Sequence, residues 1–392
     1  MSKLLILENC NFKDFPTGGT LTFAKQLIKV LPSEKIALVG ITTENIKIGE
    51  WATIWETNQS FEFFPILRLN PNKKKPLIPL RLKSFFALLF FLRKIRNRPY
   101  RFVFTQTPQF IFALSLFSWK SICFCFAGLG NSVKLSKYKS LRFLGGMYET
   151  ILLNLLNKNT TCIFAAADTN SIQEFKQNHK AIRNKEIISL PTRFDEKTFY
   201  PRDKKTLRTK LKLPQEKIIL VTTGRLCWVK GWDLLLEVLL LRSKEENTLL
   251  VFVGDGEDRN LIEERYPYLF YQQILITGFV DSETVAEYLN ASDVFIFGSY
   301  TEGWSTSLIE ALACGKPIVT TNVSSASDIV KDGITGFIVK ERSPALFNKF
   351  IDEATDLKNV KSVSKKMALK YSKSSLYDDF TNNWKIIKTI FQ

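Results

Sequence analysis

Ser299-Tyr300-Thr301-Glu302-Gly303-Trp304-Ser305-Thr306-Ser307-Leu308-Ile309-Glu310-Ala311-Leu312-Ala313-Cys314-Gly315-Lys316-Pro317 is the stretch from which the fold can be read. A short β-rich run, Val294–Phe297, precedes it, and another, Ile318–Thr320, follows. Between them lie a loop, a helical pattern and a stop. Ser305, Thr306 or Ser307 can cap the helix start, and Gly315 with Pro317 ends it. Strand, loop, helix and strand in that order make the βαβ unit of a parallel sheet. The loop then sits at the C-terminal edge of the sheet, where open α/β folds bind ligands. Free amides at the helix N-terminus suit a diphosphate. Glu302 falls in the loop and Glu310 on the first or second helical turn, so two carboxylates address one crevice. Such groups accept hydrogen bonds from the vicinal hydroxyls of a sugar or ribose. Ser307-x-x-Glu310 also reads as a capping box, which would give Glu310 a structural task.

The same rhythm extends in both directions. Ile218–Thr223, Leu249–Val253 and Ile274–Thr277 are further β-rich runs, each followed by a helical pattern. In the first half Leu4–Leu7, Ile36–Ile41, Phe102–Thr105, Ile122–Ala127 and Cys162–Ala167 read as strands, and Leu21–Leu31 as a helix. Two such series predict an α/β protein of two doubly wound domains, which suits 392 residues. The expected division is 1–195, 196–375, and a last amphipathic helix in 376–392 packing back on the N-terminal domain. The join is expected in the polar, proline-bearing stretch from Pro191 through Pro201 to Pro214.

A second constellation lies after Ile218–Thr223: Gly224-Arg225-Leu226-Cys227-Trp228-Val229-Lys230-Gly231-Trp232-Asp233. A glycine at a strand end permits a sharp turn and the close approach of a ligand. Arg225 and Lys230 share the sheet edge of the two glutamates, where two cations can neutralise a departing diphosphate. Either cation alone would read as a solvated surface residue.

These segments together resemble glycosyltransferase family 4, the group 1 glycosyl transferases of GT-B fold. The resemblance rests on Glu302-x7-Glu310 with Gly315-Lys316-Pro317, on Gly224-Arg225-Leu226 with Lys230-Gly231, on Val253-Gly254-Asp255-Gly256, and on Thr277-Gly278-Phe279-Val280. Pro16-Thr17-Gly18-Gly19 matches the family's N-terminal glycine loop. The likeness is dense from about 215 to 340 and thin in the first half. It implies two Rossmann-like domains facing a central cleft, and retaining transfer from a nucleotide-diphosphate sugar. By the same resemblance Arg225 and Lys230 bind the diphosphate, Glu310 the ribose and Glu302 the transferred sugar, with Glu302, Lys230 and Arg225 as the catalytic set. Gly18, Gly19, Gly224, Val280, Gly303, Trp304, Ser305, Thr306 and Ser307 would line the donor. No metal or other cofactor is implied; there is no Asp-x-Asp, and the lone His179, expected at a surface helix end, offers no cluster. Many relatives carry a histidine where this chain reads Phe126-Ala127-Gly128-Leu129-Gly130-Asn131. Gly128, Gly130 and Asn131 are therefore the candidates for the acceptor and sugar side.

Charge is distributed unevenly. The net charge is +17, yet residues 63–148 hold sixteen Lys and Arg and no Asp or Glu, leaving about +1 for the remainder. Such a field calls for a polyanionic surface. Lys73, Lys74, Lys75, Arg81, Lys83, Arg93, Lys94 and Arg96 interleave with Phe85, Phe86, Phe90 and Phe91, a pattern suited to an anionic bilayer. Lys134, Lys137, Lys139 and Arg142 extend it. The alternative is that the phenylalanines fill the core beneath solvated cations. Nucleic acid is disfavoured, because no recognised binding module is present. No window reaches 18 uninterrupted apolar residues: Phe85–Leu92 is too short and Lys120 breaks Phe110–Ala127. No signal peptide is evident, since Met1-Ser2-Lys3 leads directly into Leu4–Leu7. Six cysteines without disulfide or zinc spacing read as reduced core residues. The expectation is a cytoplasmic enzyme, peripheral at the inner face of the cell membrane. Its partners would be a nucleotide sugar and a saccharide or lipid-linked acceptor, in cell-surface polysaccharide or lipopolysaccharide synthesis. Two other readings compete. Gly128-x-Gly130 imitates a dehydrogenase's NAD fingerprint, though Val133 stands where its third glycine belongs. A non-catalytic nucleotide-sugar or membrane-binding protein is the other.

Overall fold

The computed structural model describes residues 3–16, 18–70, 79–129, 145–242, 247–265, 267 and 272–391. The chain forms two compact units, Met1–Thr192 with Ser374–Gln392, and Arg193–Lys373. The proline-bearing stretch expected as the join lies almost wholly inside the second unit. Pro201 leads into the helix Lys204–Lys210, where Leu207 and Arg208 are buried.

The first unit is built on β1 (Leu4–Leu7), β2 (Ile36–Thr42), β3 (Ala52–Glu56), β4 (Gln59–Arg68), β5 (Phe102–Thr105), β6 (Ser121–Phe126), β7 (Cys162–Ala165) and β8 (Ile188–Ser189). Their order is β3-β4-β2-β1-β5-β6-β7-β8, and only β3 runs antiparallel to its neighbour. β1, β2, β5, β6 and β7 are buried along their whole length. That is why they read as unbroken apolar runs: helices cover both faces of a parallel sheet. The β3–β4 hairpin is an addition the sequence did not announce. Its two turn residues, Thr57 and Asn58, both have positive φ (50° and 63°) without a glycine, whereas two-residue turns of this hand usually advertise themselves as Asn-Gly. Pro65 lies beyond the last β3 pair, Ala52 with Phe63, and opposite Gly40 of β2, where the register shifts before Ile41; a strand proline is tolerated at such an irregularity.

One face of this sheet packs on Leu88, Leu92, Phe110 and Leu153, from the helices Leu80–Arg96, Pro108–Leu114 and Gly145–Asn159. The other receives Leu27 and Ile28 from the helix Gly19–Val30, and Phe380, Trp384 and Ile387 from the C-terminus. The expected single C-terminal helix is in fact broken at Trp384. It runs as Leu376–Asn383, a 3-10 turn at Lys385–Ile387, and Lys388–Phe391. Trp384 is 2% exposed and its Nε1 donates to Ser121 Oγ at 2.8 Å. Burying a large side chain in this way stabilises the unit by roughly 1.5–3 kcal/mol.

In the second unit β9 (Ile218–Thr223), β10 (Thr248–Val253), β11 (Ile274–Ile276), β12 (Val294–Phe297), β13 (Ile318–Thr321) and β14 (Gly336–Val339) form an all-parallel sheet ordered β11-β10-β9-β12-β13-β14. Counted along the chain this is 3-2-1-4-5-6, so the strand order reverses between β9 and β12 and a crevice opens beyond their C-terminal ends. β14 was not foreseen. It opens on Gly336, where φ is 153° and a Cβ would stand 1.9 Å from Ile318 O, so only glycine lets the two strands meet. Five of the six cysteines are buried, Cys227 is half-buried, and all are free thiols. No helix among the described residues is long and apolar enough to cross a membrane.

The corresponding reversal in the first unit lies between β1 and β5, and a carboxyl is sealed there. Glu8 is fully buried and accepts hydrogen bonds from Gln106 N (2.7 Å), Gln106 Nε2 (3.3 Å) and Thr107 Oγ1 (3.1 Å). Burial raises its pKa to about 8 despite those donors. The folded state therefore holds a proton that the unfolded chain, titrating near 4.5, gives up. This group's contribution is greatest below about pH 4.5 and is lost as pH rises toward 8. Chemical denaturation of wild type and Glu8→Gln across pH 5 to 8 checks this. The wild-type stability should fall more steeply, and parallel profiles would contradict the buried proton.

Candidate active site

Two loops meet beyond the crevice at β9 and β12. The first leaves β9 at Gly224, whose φ of 129° lies where side-chain-bearing residues are strained. It turns through a 3-10 segment, Trp228–Lys230, and closes at Gly231 (φ 66°), whose amide donates to Trp228 O. The second leaves β12 at Gly298 and is sewn to the first by Tyr300 N donating to Val229 O at 2.9 Å. At Gly231 an added Cβ would stand 1.8 Å from Gly298 O, and at Gly254, 2.0 Å from Gly224 O. Glycines thus let the loops after β9, β10 and β12 lie backbone on backbone.

That stacking brings Lys230 to Glu302. Their ammonium and carboxylate are 2.7 Å apart, with side chains 30% and 13% exposed. Glu302 Oε1 also accepts from Ser299 Oγ at 2.8 Å, and the ammonium lies 5.5 Å from the Phe297 ring centre. Arg225 projects from the same turn, exposed, and takes part in no ion pair among the described residues. The two catalytic candidates, 72 residues apart in sequence, form one charged pair.

The helix Thr306–Ala313 follows. Its N-cap is Ser305, whose side chain accepts from Leu308 N. The capping-box alternative is thereby corrected: Glu310 is the fifth helical residue, beyond reach of the cap, and its carboxyl bonds to no described side chain. Enclosure by the protein raises the Glu310 pKa to about 8, while the nearby Lys373 charge pulls the other way. Gly303 O accepts from Ser324 Oγ (2.9 Å), Ser305 N donates to Ser325 Oγ (3.1 Å), and Ser307 Oγ reaches Thr223 O (3.4 Å). Thr306 and Ser307 are half-buried. Trp304 packs its ring 5.2 Å from that of Tyr371, and its Nε1 is enclosed without an acceptor. Thr223 Oγ1, at the end of β9, is also enclosed and unpartnered. Arg225, Lys230 and the unpartnered Thr223 line one depression beyond β9, with the Glu302 carboxylate on Lys230, and such a set can hold a polyhydroxyl, polyanionic ligand.

A buttress beside the pair escaped the sequence reading. Tyr300 donates its hydroxyl to Asp233 Oδ2 (2.6 Å), Arg342 pairs with Asp233 Oδ1 (2.9 Å), and the guanidinium lies 3.5 Å from the Tyr300 ring centre. Trp228 faces Tyr300 with ring centres 5.5 Å apart, both largely exposed. Exposed aromatics inside candidate loops were the available signal.

Other candidates lie elsewhere. Val280, after β11, packs half-buried against the core beside Phe279, which is 84% exposed. Gly18 and Gly19, at the start of the helix Gly19–Val30, belong to the first unit, as does Gly128 after β6. Gly128 lines a cavity of about 190 Å³ with Arg81, Phe126 and Tyr148. His179 caps the C-terminal end of the helix Thr169–Asn178, half-buried on Phe175 and 3.6 Å from Glu149. Thr17, Lys73, Lys74, Lys75, Gly130, Asn131, Val133, Lys134, Lys137, Lys139 and Arg142 lie outside the described residues.

On the helix Leu80–Arg96 the aromatic question is answered residue by residue. Phe85 and Phe91 pack on the core, whereas Phe86 and Phe90 are 58% and 80% exposed, in line with Leu82. Arg81, Arg93 and Lys94 are exposed and Lys83 is half-buried. Arg96 departs from the expectation. It turns onto the rings of Phe117 (5.0 Å) and Trp119 (5.4 Å) and donates to Ser118 O, a packing role.

Residues 203–372 match the family described as glycosyl transferases group 1. An uncharacterized glycosyltransferase of Methanocaldococcus jannaschii is 28% identical over 94% of this chain and 92% of its own. The 2-deoxystreptamine N-acetyl-D-glucosaminyltransferase of Niallia circulans is 32% identical over 41% of each chain. Among solved structures, a sucrose-phosphate synthase of Thermosynechococcus elongatus is similar in fold at a TM-score of 0.76 and 17% identity, over 99% of both chains. HepE of Anabaena in complex with UDP superposes at 0.67 and 16% identity, again over 99% of both.

Proposed function

We propose, from the premise that this chain is a glycosyltransferase of the group 1 family with a GT-B fold, that it transfers a sugar from a nucleotide-diphosphate sugar with retention of anomeric configuration. The observation that carries this reading is the Lys230–Glu302 pair at the β9/β12 reversal. In this structure the two charges satisfy each other. A bound donor replaces that contact with two: its diphosphate takes the ammonium, and the hydroxyls of its sugar take the carboxylate. Negative charge grows on the diphosphate as the glycosidic bond breaks, so Lys230 and Arg225 bind the transition state more tightly than the ground state. Glu310, on the helix capped by Ser305, faces the nucleoside and accepts from its ribose. With two cations at the leaving group, the reaction needs no metal.

The acceptor in this proposal is lipid-linked, and the enzyme is peripheral at the inner face of the cell membrane, in cell-surface polysaccharide or lipopolysaccharide synthesis. Leu82, Phe86 and Phe90 recur every four residues and continue into Arg93 and Lys94, so one exposed stripe of helix is apolar and then basic. Such a stripe suits the headgroup boundary of an anionic bilayer, where each cation contributes about 1 kcal/mol. Incubation with labelled nucleotide sugars and vesicles carrying cell-envelope lipids tests both halves together. Label should enter the lipid fraction in the presence of chelator, require anionic lipid and weaken with salt. Phe86→Ser with Phe90→Ser should lower vesicle retention and leave donor hydrolysis in solution unchanged. Saturable donor binding without product would make the chain a binder rather than a transferase.

A further inference from the structure

At the opposite, N-terminal edge of the second unit's sheet lies a cavity of about 800 Å³ that the transfer reaction does not use. Its walls are the helix Lys204–Lys210, the residues leading into β9, β12 and β13, the end of the helix Pro344–Thr355 and the start of the helix Val360–Leu369. Five cations line it, Lys204, Arg208, Lys217, Lys316 and Lys361, against two carboxylates, Glu216 and Asp293.

Asp293 is already committed. Its Oδ1 takes Lys204 (2.7 Å), and its Oδ2 takes Arg208 (2.6 Å) and the Ile219 amide (2.7 Å). Those contacts hold its carboxyl below the usual range although burial pushes it up. Lys204 and Arg208 are therefore structural, and Lys217, Lys316 and Lys361 remain. Lys316 is the decisive one. It is 5% exposed, and its ammonium donates to the carbonyls of Asn290 and Ser292 at 3.0 Å each, with no carboxylate partner among the described residues. Capping the end of the helix Ser282–Ala291 accounts for those two bonds. It does not account for a buried charge, because a neutral donor would bond the carbonyls without the cost of desolvating an ammonium. Burial accordingly lowers the Lys316 pKa to about 8. Lys361, in the first turn of the helix Val360–Leu369, lies against Gly315, and the N-cap of that helix, Asn359, gives it no side-chain cap, leaving its first amides for another acceptor.

We propose that this cavity is a second anion site, separate from the donor crevice, and that it takes a small phosphate-bearing molecule held by Lys316, Lys361 and Lys217. Tetrahedral polyanions suit such a site because they accept from several ammonium groups and from helix amides together. The cavity volume falls within the range of small-ligand sites.

Inorganic pyrophosphate is the probe, titrated by calorimetry and thermal shift against the full chain. The donor crevice also attracts pyrophosphate, so Lys230→Ala provides the background in which that site is weakened. Binding and stabilisation should persist in Lys230→Ala. They should weaken about tenfold or more when Lys217→Ala and Lys361→Ala are added, the scale of lost charge-assisted contacts. Lys217 is half-buried and Lys361 exposed, so melting points without ligand should stay near those of the parent, and the Lys217→Ala, Lys361→Ala variant with Lys230 intact should transfer sugar at the wild-type rate. Binding that disappears with Lys230→Ala alone, or that survives loss of both cavity lysines, would overturn the second site. Either result leaves the donor assignment standing or falling on its own test.

Discussion

Replacing Lys230 by alanine is expected to lower turnover by about a hundredfold to a thousandfold, the scale of removing one preorganised electrostatic contact from a developing oxyanion. The ammonium is already in place: it sits 2.7 Å from Glu302 and needs no reorganisation beyond exchanging one anion for another. Glu302→Gln should fall in the same range, for the complementary reason that a neutral amide no longer holds Lys230 or accepts equally from the sugar. Because the two groups position one another, the double variant should lose much less than the product of the single losses. Melting points of the variants are measured alongside, because Glu302 is only 13% exposed and loses its charged partner in Lys230→Ala, keeping the Ser299 hydroxyl as donor. Rates near wild type in both single variants, with normal melting points, would remove the site from this pair.

The parts legible in the sequence were those that a single periodicity or a local motif encodes. β1, β9 and β12 lie in the middle of their sheets, so their apolar runs are unbroken and announce a parallel sheet. β3 alternates half-buried and exposed residues at a sheet edge, and its Thr57-Asn58 turn carries no glycine, so the hairpin stayed silent. The two motifs could be assigned to one sheet edge from their strands alone. Their meeting could not be read, because it depends on a contact between Gly231 and Gly298 that only the packed loops create. The same holds for Tyr300, Asp233 and Arg342, which come from three separate segments and acquire their relation by packing. Glu310 illustrates the converse. Its spacing from Ser307 fits a capping box, but the helix is capped two residues earlier, at Ser305, and the motif loses its meaning.

The glycine contact supplies the second large effect. Gly231→Ala is expected to lower turnover by about a hundredfold, because two costs arrive at one atom. An alanine at φ 66° is strained by about 1–3 kcal/mol, and its Cβ would stand 1.8 Å from Gly298 O, where no real Cβ contact exists. The loop after β9 must therefore move away from the loop after β12. Lys230 is the adjacent residue, and about 1 Å of misplacement in a catalytic group costs roughly a hundredfold. Gly333→Ala separates the two costs. That residue has nearly the same φ, 69°, with nothing within 4 Å of the new Cβ, so it should lose stability on the same scale and keep its rate. Equal activity losses in the two variants would mean that backbone strain alone is at work, and that the stacked loops do not set the position of Lys230. A loss confined to Gly231→Ala ties turnover to the close approach of the two backbones that carry the charged pair.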